Sequence, residues 1–209
     1  MARYIGPSCR LCRRAGEKLF LKGERCFTPK CAVERRRYPP GGGQSQRRRR
    51  TSDWGAQLRE KQKTRQIYGV LERQFRGYFE KAQKSSEATG QVLLQFLERR
   101  LDNVVYRLDF AESRKQARQF VLHGHITVNG RKMNVSSYMV KPGEVIAWKQ
   151  ISQEKEFVKT LAAGVPRKSI PEWLSLNTET MLGKMLRLPE AGALESTFEP
   201  RMIVEFYSK

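Results

Sequence analysis

Residues 100–143 read RLDNVVYRLDFAESRKQARQFVLHGHITVNGRKMNVSSYMVKPG, and the rest of the chain is arranged around them. Leu97, just upstream, is followed by Leu101, Val104 and Leu108 at spacings of four, three and four residues. That is one apolar stripe on a helical period, so an amphipathic helix is expected. Ser113 with Gln116 three residues on has the form of a capping box, in which the two side chains satisfy orphan backbone donors, and predicts a second helix. Ala117, Phe120 and Val121 supply its buried face, and Gly124 ends it, as glycine does just past a helix. Ile126 and Val128 alternate with polar residues, and Asn129-Gly130 predicts a hairpin turn. Lys141-Pro142-Gly143 predicts another turn, with a strand over residues 145–148.

The charges of this stretch run against its helix dipole. Arg114, Lys115 and Arg118 crowd the first turns of the second helix, where negative charge is ordinarily favoured. The arrangement suits an outside anion, on which backbone N–H groups and basic side chains converge, as at a phosphate. A solvated helix face is the plainer alternative. His123 and His125, the only histidines, flank Gly124. With no paired carboxylate or nucleophile near them in sequence, phosphate contact or capping fits them better than acid–base catalysis.

Across all 209 residues, 41 Lys and Arg stand against 21 Asp and Glu, a net charge of +20. So much like charge repels itself, and a polyanionic partner is the economical explanation. A 10% aromatic share argues against simple disorder. No apolar run approaches the ~18 residues needed to cross a bilayer, and the N-terminus has no secretory apolar region, so a cytosolic protein is expected.

Cys9, Cys12, Cys26 and Cys31 are the only cysteines, and their spacing lets four thiolates reach one tetrahedral ion. A structural zinc is the first expectation, and an iron–sulfur cluster on the same thiolates is its rival. Residues 1–46 are loop-rich and poor in apolar side chains, so metal binding would supply most of their folding free energy, on the order of 10 kcal/mol. Four cysteines leave no open position for metal catalysis. Fifteen Lys or Arg and three acids fall in the first fifty residues, a net +12 that ends in the run Arg47, Arg48, Arg49 and Arg50. Such a run would order against phosphates with release of counterions, although a localisation signal or a solvated linker has the same composition.

Residues 52–66 predict a helix with little amphipathic character, in which Trp54 and Leu58 share a face and Arg59, Lys61, Lys63 and Arg65 crowd the rest. Tyr68-Gly69 breaks it. Leu71, Phe75, Tyr78, Phe79 and Ala82 then predict a second helix, whose aromatic stripe reads as core packing rather than base stacking. Downstream, a short helix is expected over residues 154–161, strands over 173–176 and 184–188, loop or irregular helix over 191–200, and an apolar segment over 202–207 that packs back on the helical part. There is no phosphate-binding loop, no nucleophile elbow and no metal-binding histidine pair.

The stretch RLDNVVYRLDFAESRKQARQFVLHGHITVNGRK resembles the signature of the family of bacterial small-subunit ribosomal protein four. So do RYIGPSCRLCRRAGEKLFLKGERC at the start, REKQKTRQIYG, WLSL and the closing IVEFYSK. The resemblance spans essentially the whole chain. It implies an α+β architecture: a metal-bound N-terminal segment over 1–46, a helical domain over 47–97 with 190–209, and an inserted α/β RNA-binding domain with a small antiparallel sheet over 98–189. It implies early binding to a helix junction in the 5′ domain of small-subunit ribosomal RNA and nucleation of assembly. It also implies a place near the channel through which mRNA enters, beside small-subunit proteins five and three, a bearing on decoding accuracy with protein five, and in some members repression of the family's own operon. Members with cysteines at positions 9, 12, 26 and 31 bind metal. Leu71, Ser136, Gly192-Ala193 and Glu199-Pro200-Arg201 depart from the family pattern.

Two functions are thus set against each other: a structural ribosomal RNA binder, and an RNA-modifying enzyme that carries the same binding module. The second needs a catalytic domain, and residues 150–209 are too few and too irregular to supply one, so no enzyme is expected. The expected RNA-facing residues are Arg47 to Arg50, Lys61, Lys63, Arg65, Arg114, Lys115, Arg118, His123, His125 and Arg131, with Arg114 and Lys115 exposed.

Overall fold

The pattern over residues 113–148 folds much as it reads. Helix α7 (Arg114–Leu122) starts at Ser113, whose Oγ accepts from the backbone N–H of Gln116 at 3.3 Å. Gln116 Oε1 reaches one residue further back than a capping box requires and accepts from the N–H of Glu112 at 2.8 Å. Gly124 closes the helix with φ of +72°. Strand β1 (Ile126–Val128) follows at once and turns through Asn129 and Gly130, both at positive φ, into β2 (Arg131–Lys132). Left-handed backbone at both central positions is what a tight hairpin turn demands. Asn129 Oδ1 also accepts from the N–H of Val145 at 2.8 Å, which ties the hairpin to β3 (Val145–Trp148).

The structure, a computed structural model, describes residues 3–41, 51–162, 168–190 and 198–208. It divides into two units, residues 1–93 with 195–209 and residues 94–194.

In the second unit, β4 (Leu174–Asn177) and β5 (Leu182–Met185) complete a five-stranded antiparallel sheet of order β2-β1-β3-β5-β4. The last strand lies two to three residues earlier than its apolar pattern predicts. Its register is set by β3, with Ile146 opposite Gly183 and Val145 opposite Lys184. A Cβ built on Gly183 would lie 2.3 Å from Leu108 Cδ1, so glycine is what lets the buried leucine rest on the sheet. Leu101, Val104, Leu108, Phe110, Val121, Ile146, Trp148 and Trp173 form the centre of the core beneath it. Helices α8 (Gln150–Gln153) and α9 (Glu156–Ala162) replace the single short helix expected over 154–161.

The stripe Leu97, Leu101, Val104 and Leu108 is fully buried, yet it does not lie on one helix. Helix α5 (Thr89–Glu98) stops, and α6 (Leu101–Arg107) starts after Arg100, which is extended and bridges Met139. The N–H of Val140 donates to Arg99 O at 2.9 Å and the N–H of Leu101 to Tyr138 O at 2.8 Å. The loop before β3 therefore satisfies the backbone groups that a continuous helix would have used itself.

In the first unit, α1 (Ser8–Ala15), a 3-10 turn (Gly23–Cys26) and α2 (Ala32–Arg35) form the N-terminal segment. Arg13 donates to Tyr38 O at 3.0 Å and stacks on the Tyr38 ring at 5.0 Å. Helix α3 (Asp53–Ile67), capped by Ser52, runs to the break at Gly69. Helix α4 (Glu72–Gln83) buries Phe75, Tyr78, Phe79 and Ala82; Leu71 occupies its N-cap position and offers no side-chain cap. Helix α10 (Pro200–Tyr207) returns from the chain's end and packs on α3, as its apolar residues predict.

The face of α3 that is buried is Gln57, Lys61, Thr64 and Ile67, whereas Trp54 remains 54% exposed. Polar groups hold this helix in place. Gln57 Nε2 donates to Glu205 at 3.0 Å, and Lys61 Nζ donates to Glu72 Oε1 at 2.8 Å.

Candidate nucleic-acid interface

The start of α7 carries the cluster on which the charge argument rests. Arg114 is half-buried rather than exposed. Its Nε donates to Asn103 Oδ1 at 2.8 Å, and its guanidinium lies 4.5 Å from the centre of the Tyr106 ring. Asn103 is itself fixed by Glu98, a buried carboxylate that also takes two hydrogen bonds from Arg107. Lys168, which the sequence reading did not single out, brings its ammonium 4.1 Å from the same Tyr106 ring. It is held by Asp109 at 3.1 Å and by Ala111 O at 3.1 Å. Nothing in the local pattern of residue 168 points to α7; only the tertiary fold does. Lys115 is also half-buried. Arg118 is buried, with Nη1 3.9 Å from Asp102, whose carboxylate chiefly pairs with the buried Arg100 at 2.6 Å. Arg118 thus belongs to the support under the cluster more than to its surface.

At the other end of α7, His123 is exposed and His125 half-buried. His125 Nδ1 lies 3.0 Å from Ser152 Oγ, with Phe120 and Phe157 edge-on to the ring. Burial, and then Lys155, His123 and Lys149, hold its pKa below the ordinary 6.5. Both effects favour the uncharged imidazole over the cation. Arg131 is exposed on the hairpin.

The expected basic face of α3 is arranged differently. Lys61 is 5% exposed and lies beneath the Phe206 ring at 4.6 Å as well as against Glu72. Lys63 sits between Glu17 and Glu60, each at 2.9 Å. Arg65 is half-buried, donating to Gln62 at 3.0 Å beside Glu72 at 3.6 Å. The outward cation on this helix is Arg59, which is exposed. Arg47, Arg48, Arg49 and Arg50 lie outside the described residues.

In the N-terminal segment the four cysteines form no disulfide and line one small cavity with Leu21 and Val33. Burial pushes the Cys12 and Cys26 thiols up, the N–H groups of Leu19 and Lys22 offset part of this, and the neighbouring cysteines add to it. The donor set suits a thiophilic ion. The side chains, however, are not drawn into coordinating positions: among the described residues no three Cys, His, Asp or Glu are gathered closely enough to hold an ion. The metal-bound state expected for this segment is therefore not shown.

Comparison with known proteins decides the lineage. A model of the Ribosomal protein S4/S9 N-terminal domain matches residues 3–98, and a model of the S4 domain matches residues 99–146. The chain belongs to the uS4 family of small-subunit ribosomal proteins. It is 55% identical over 209 residues to the Small ribosomal subunit protein uS4 of Thermus thermophilus, with all of both chains covered. It is 54% identical to the protein of that name from Thermodesulfovibrio yellowstonii and to uS4A of Symbiobacterium thermophilum, again over the full length of each. The two family matches meet between Glu98 and Arg99, where α5 ends.

Proposed function

We propose that this chain is a structural constituent of the small ribosomal subunit, acting in the cytoplasm as a binder of small-subunit ribosomal RNA and not as a catalyst. Family membership along the full length carries the reading, and the geometry at α7 supports a mechanism. Asn103 and Tyr106 hold the Arg114 guanidinium by one edge, and Asp109 holds Lys168. Both cations are thus placed before RNA arrives, and less side-chain freedom is lost on binding. Phosphates along a folded RNA surface would meet Arg114, Lys115 and Lys168, with Arg131 and His123 further along the same domain and Arg47 to Arg50 ahead of α3. Recognition of this kind reads backbone shape more than base sequence. Lys61, Lys63 and Arg118 then serve the interface through the fold, since their charges are already met by carboxylates.

The finer reading rests on the resemblance of the motifs. The RNA target is a helix junction of the 5′ domain, bound early in assembly. The assembled neighbours are small-subunit proteins five and three near the channel through which mRNA enters, with a part in decoding accuracy and, as in some members of the family, repression of its own messenger. Cys9, Cys12, Cys26 and Cys31, sharing one cavity, would hold a single structural metal, zinc in preference to an iron–sulfur cluster. Elemental analysis with an absorption spectrum separates the two.

Titrating the affinity for a transcript of the 5′ domain against salt tests the central reading. With about eight phosphates neutralised, affinity should fall by roughly a thousandfold or more between 50 and 200 mM salt. A flat profile overturns it. Modified nucleotides in RNA incubated with the protein would favour the enzyme instead.

A further inference from the structure

The N-terminal segment turns its two largest apolar rings outward. Leu19 and Leu21 are buried, and Phe20 between them is exposed; Cys26 is buried, and Phe27 beside it is 70% exposed. The two phenyl rings stack on each other with centres 4.9 Å apart and planes 28° from parallel. Phe20 reaches this position with φ of +48°, a left-handed backbone that bulky side chains rarely adopt. Burial drives phenylalanine inward, so a stacked pair held out in water on a strained backbone asks for a ligand with a flat face. Within three residues of one ring or the other along the chain, Lys22, Arg25 and Lys30 are exposed, against one exposed acid, Glu24. An apolar protein surface would gain little from that rim. An unpaired nucleotide offers a π-face for the rings and phosphates for the cations within one ligand.

We propose that Phe20 and Phe27 form a stacking platform for a single unstacked base of the RNA that the chain binds, with Lys22, Arg25 and Lys30 receiving the adjoining phosphates. The proposal rests on the RNA-binding reading above and adds a contact of a different kind to it. Stacking needs no charge and is tolerant of base identity, so its loss lowers affinity without altering the salt dependence.

The test uses the full-length protein and a transcript of the small-subunit 5′ domain. Phe27→Ala and Phe27→Leu are expected to weaken binding between about fivefold and a hundredfold, the range for losing one base–aromatic stack, with the salt slope unchanged. Phe27→Tyr should bind like the parent, which separates loss of a stack from loss of the segment's fold. Ultraviolet irradiation of the parent complex should crosslink a nucleotide to the peptide that contains Phe27. Parental affinity for both the Ala and Leu variants overturns the proposal. So does parental RNA affinity combined with loss of a neighbouring protein during subunit reconstitution, which would mark the rings as a protein dock. Failure of the parent itself to show salt-dependent binding is a separate result and removes the RNA reading as well.

Discussion

Lys61 shows what a single buried charge does to a sequence-level reading. Counted along the chain, it is one more cation on a basic helix. In the fold it lies between Glu72 and the Phe206 ring, with the Tyr207 hydroxyl donating to the same carboxylate at 2.8 Å. Lys61→Met should lower the unfolding free energy by about 1–2 kcal/mol, since a hydrogen-bonded charge is lost while the apolar stem is kept. The slope of RNA affinity against salt should stay as it is; a lysine on phosphate would reduce it by about one when removed. Glu72 gives a matching pH effect. Burial alone would raise its carboxyl, but hydrogen bonds from Lys61 and Tyr207, with the charges of Lys61 and Arg65, hold it below the ordinary 4.5. A depressed folded pKa contributes stability that is complete above the unfolded value and is lost as pH falls through the folded one. Denaturant melts between about pH 5 and pH 3 should therefore fall more steeply for the parent than for Glu72→Gln. Burial of this kind is invisible in sequence because the partners of Lys61 lie 11 residues on, in Glu72, and at the other end of the chain. Arg131 and His123, on a hairpin and a helix end, were legible because local turn chemistry alone places them at the surface.

Among the elements, those with local punctuation were readable and those fixed by distant partners were not. Ser113, Gly124 and Asn129-Gly130 each determine their own backbone, and α7, β1 and β2 stand where these residues predict. The break at Arg100 answers to the backbone of residues 138–140, and β5 answers to β3, so periodicity misplaced both. Helix α3 gave little amphipathic signal because its inner face is polar, held by Gln57 and Lys61. The close approach of Leu108 to the sheet at Gly183 supplies a test. In Gly183→Ala the new methyl would meet the Leu108 side chain at 2.3 and 2.7 Å. Overpacking of this size should cost about 1–3 kcal/mol, read as a lower denaturation midpoint with an unchanged m-value. Ser113→Ala removes the α7 cap and should cost about 1 kcal/mol by the same measurement.

Over the whole molecule, charge was the most legible feature, because +20 on 209 residues needs no tertiary knowledge, whereas periodicity placed single helices and strands and the α+β architecture came only with the family resemblance. The metal centre was less so: spacing brings four thiols to one cavity but does not place them around an ion. If the segment does carry metal, chelation should lower the melting temperature seen by Trp54 fluorescence. The near-ultraviolet signal of Trp148 and Trp173, which lie in the other unit, should persist at that temperature. The return of α10 to α3 has a further outcome, in the order of events as the chain is made. Gln57 waits for Glu205, 148 residues downstream, so the unit that begins first is finished last. Residues 94–194 can collapse on their own core while α3 and α4 still lack their closing helix. A nascent chain stalled before residue 200 would present one finished unit and one open one, and the open one is where a chaperone or an RNA strand would find apolar surface.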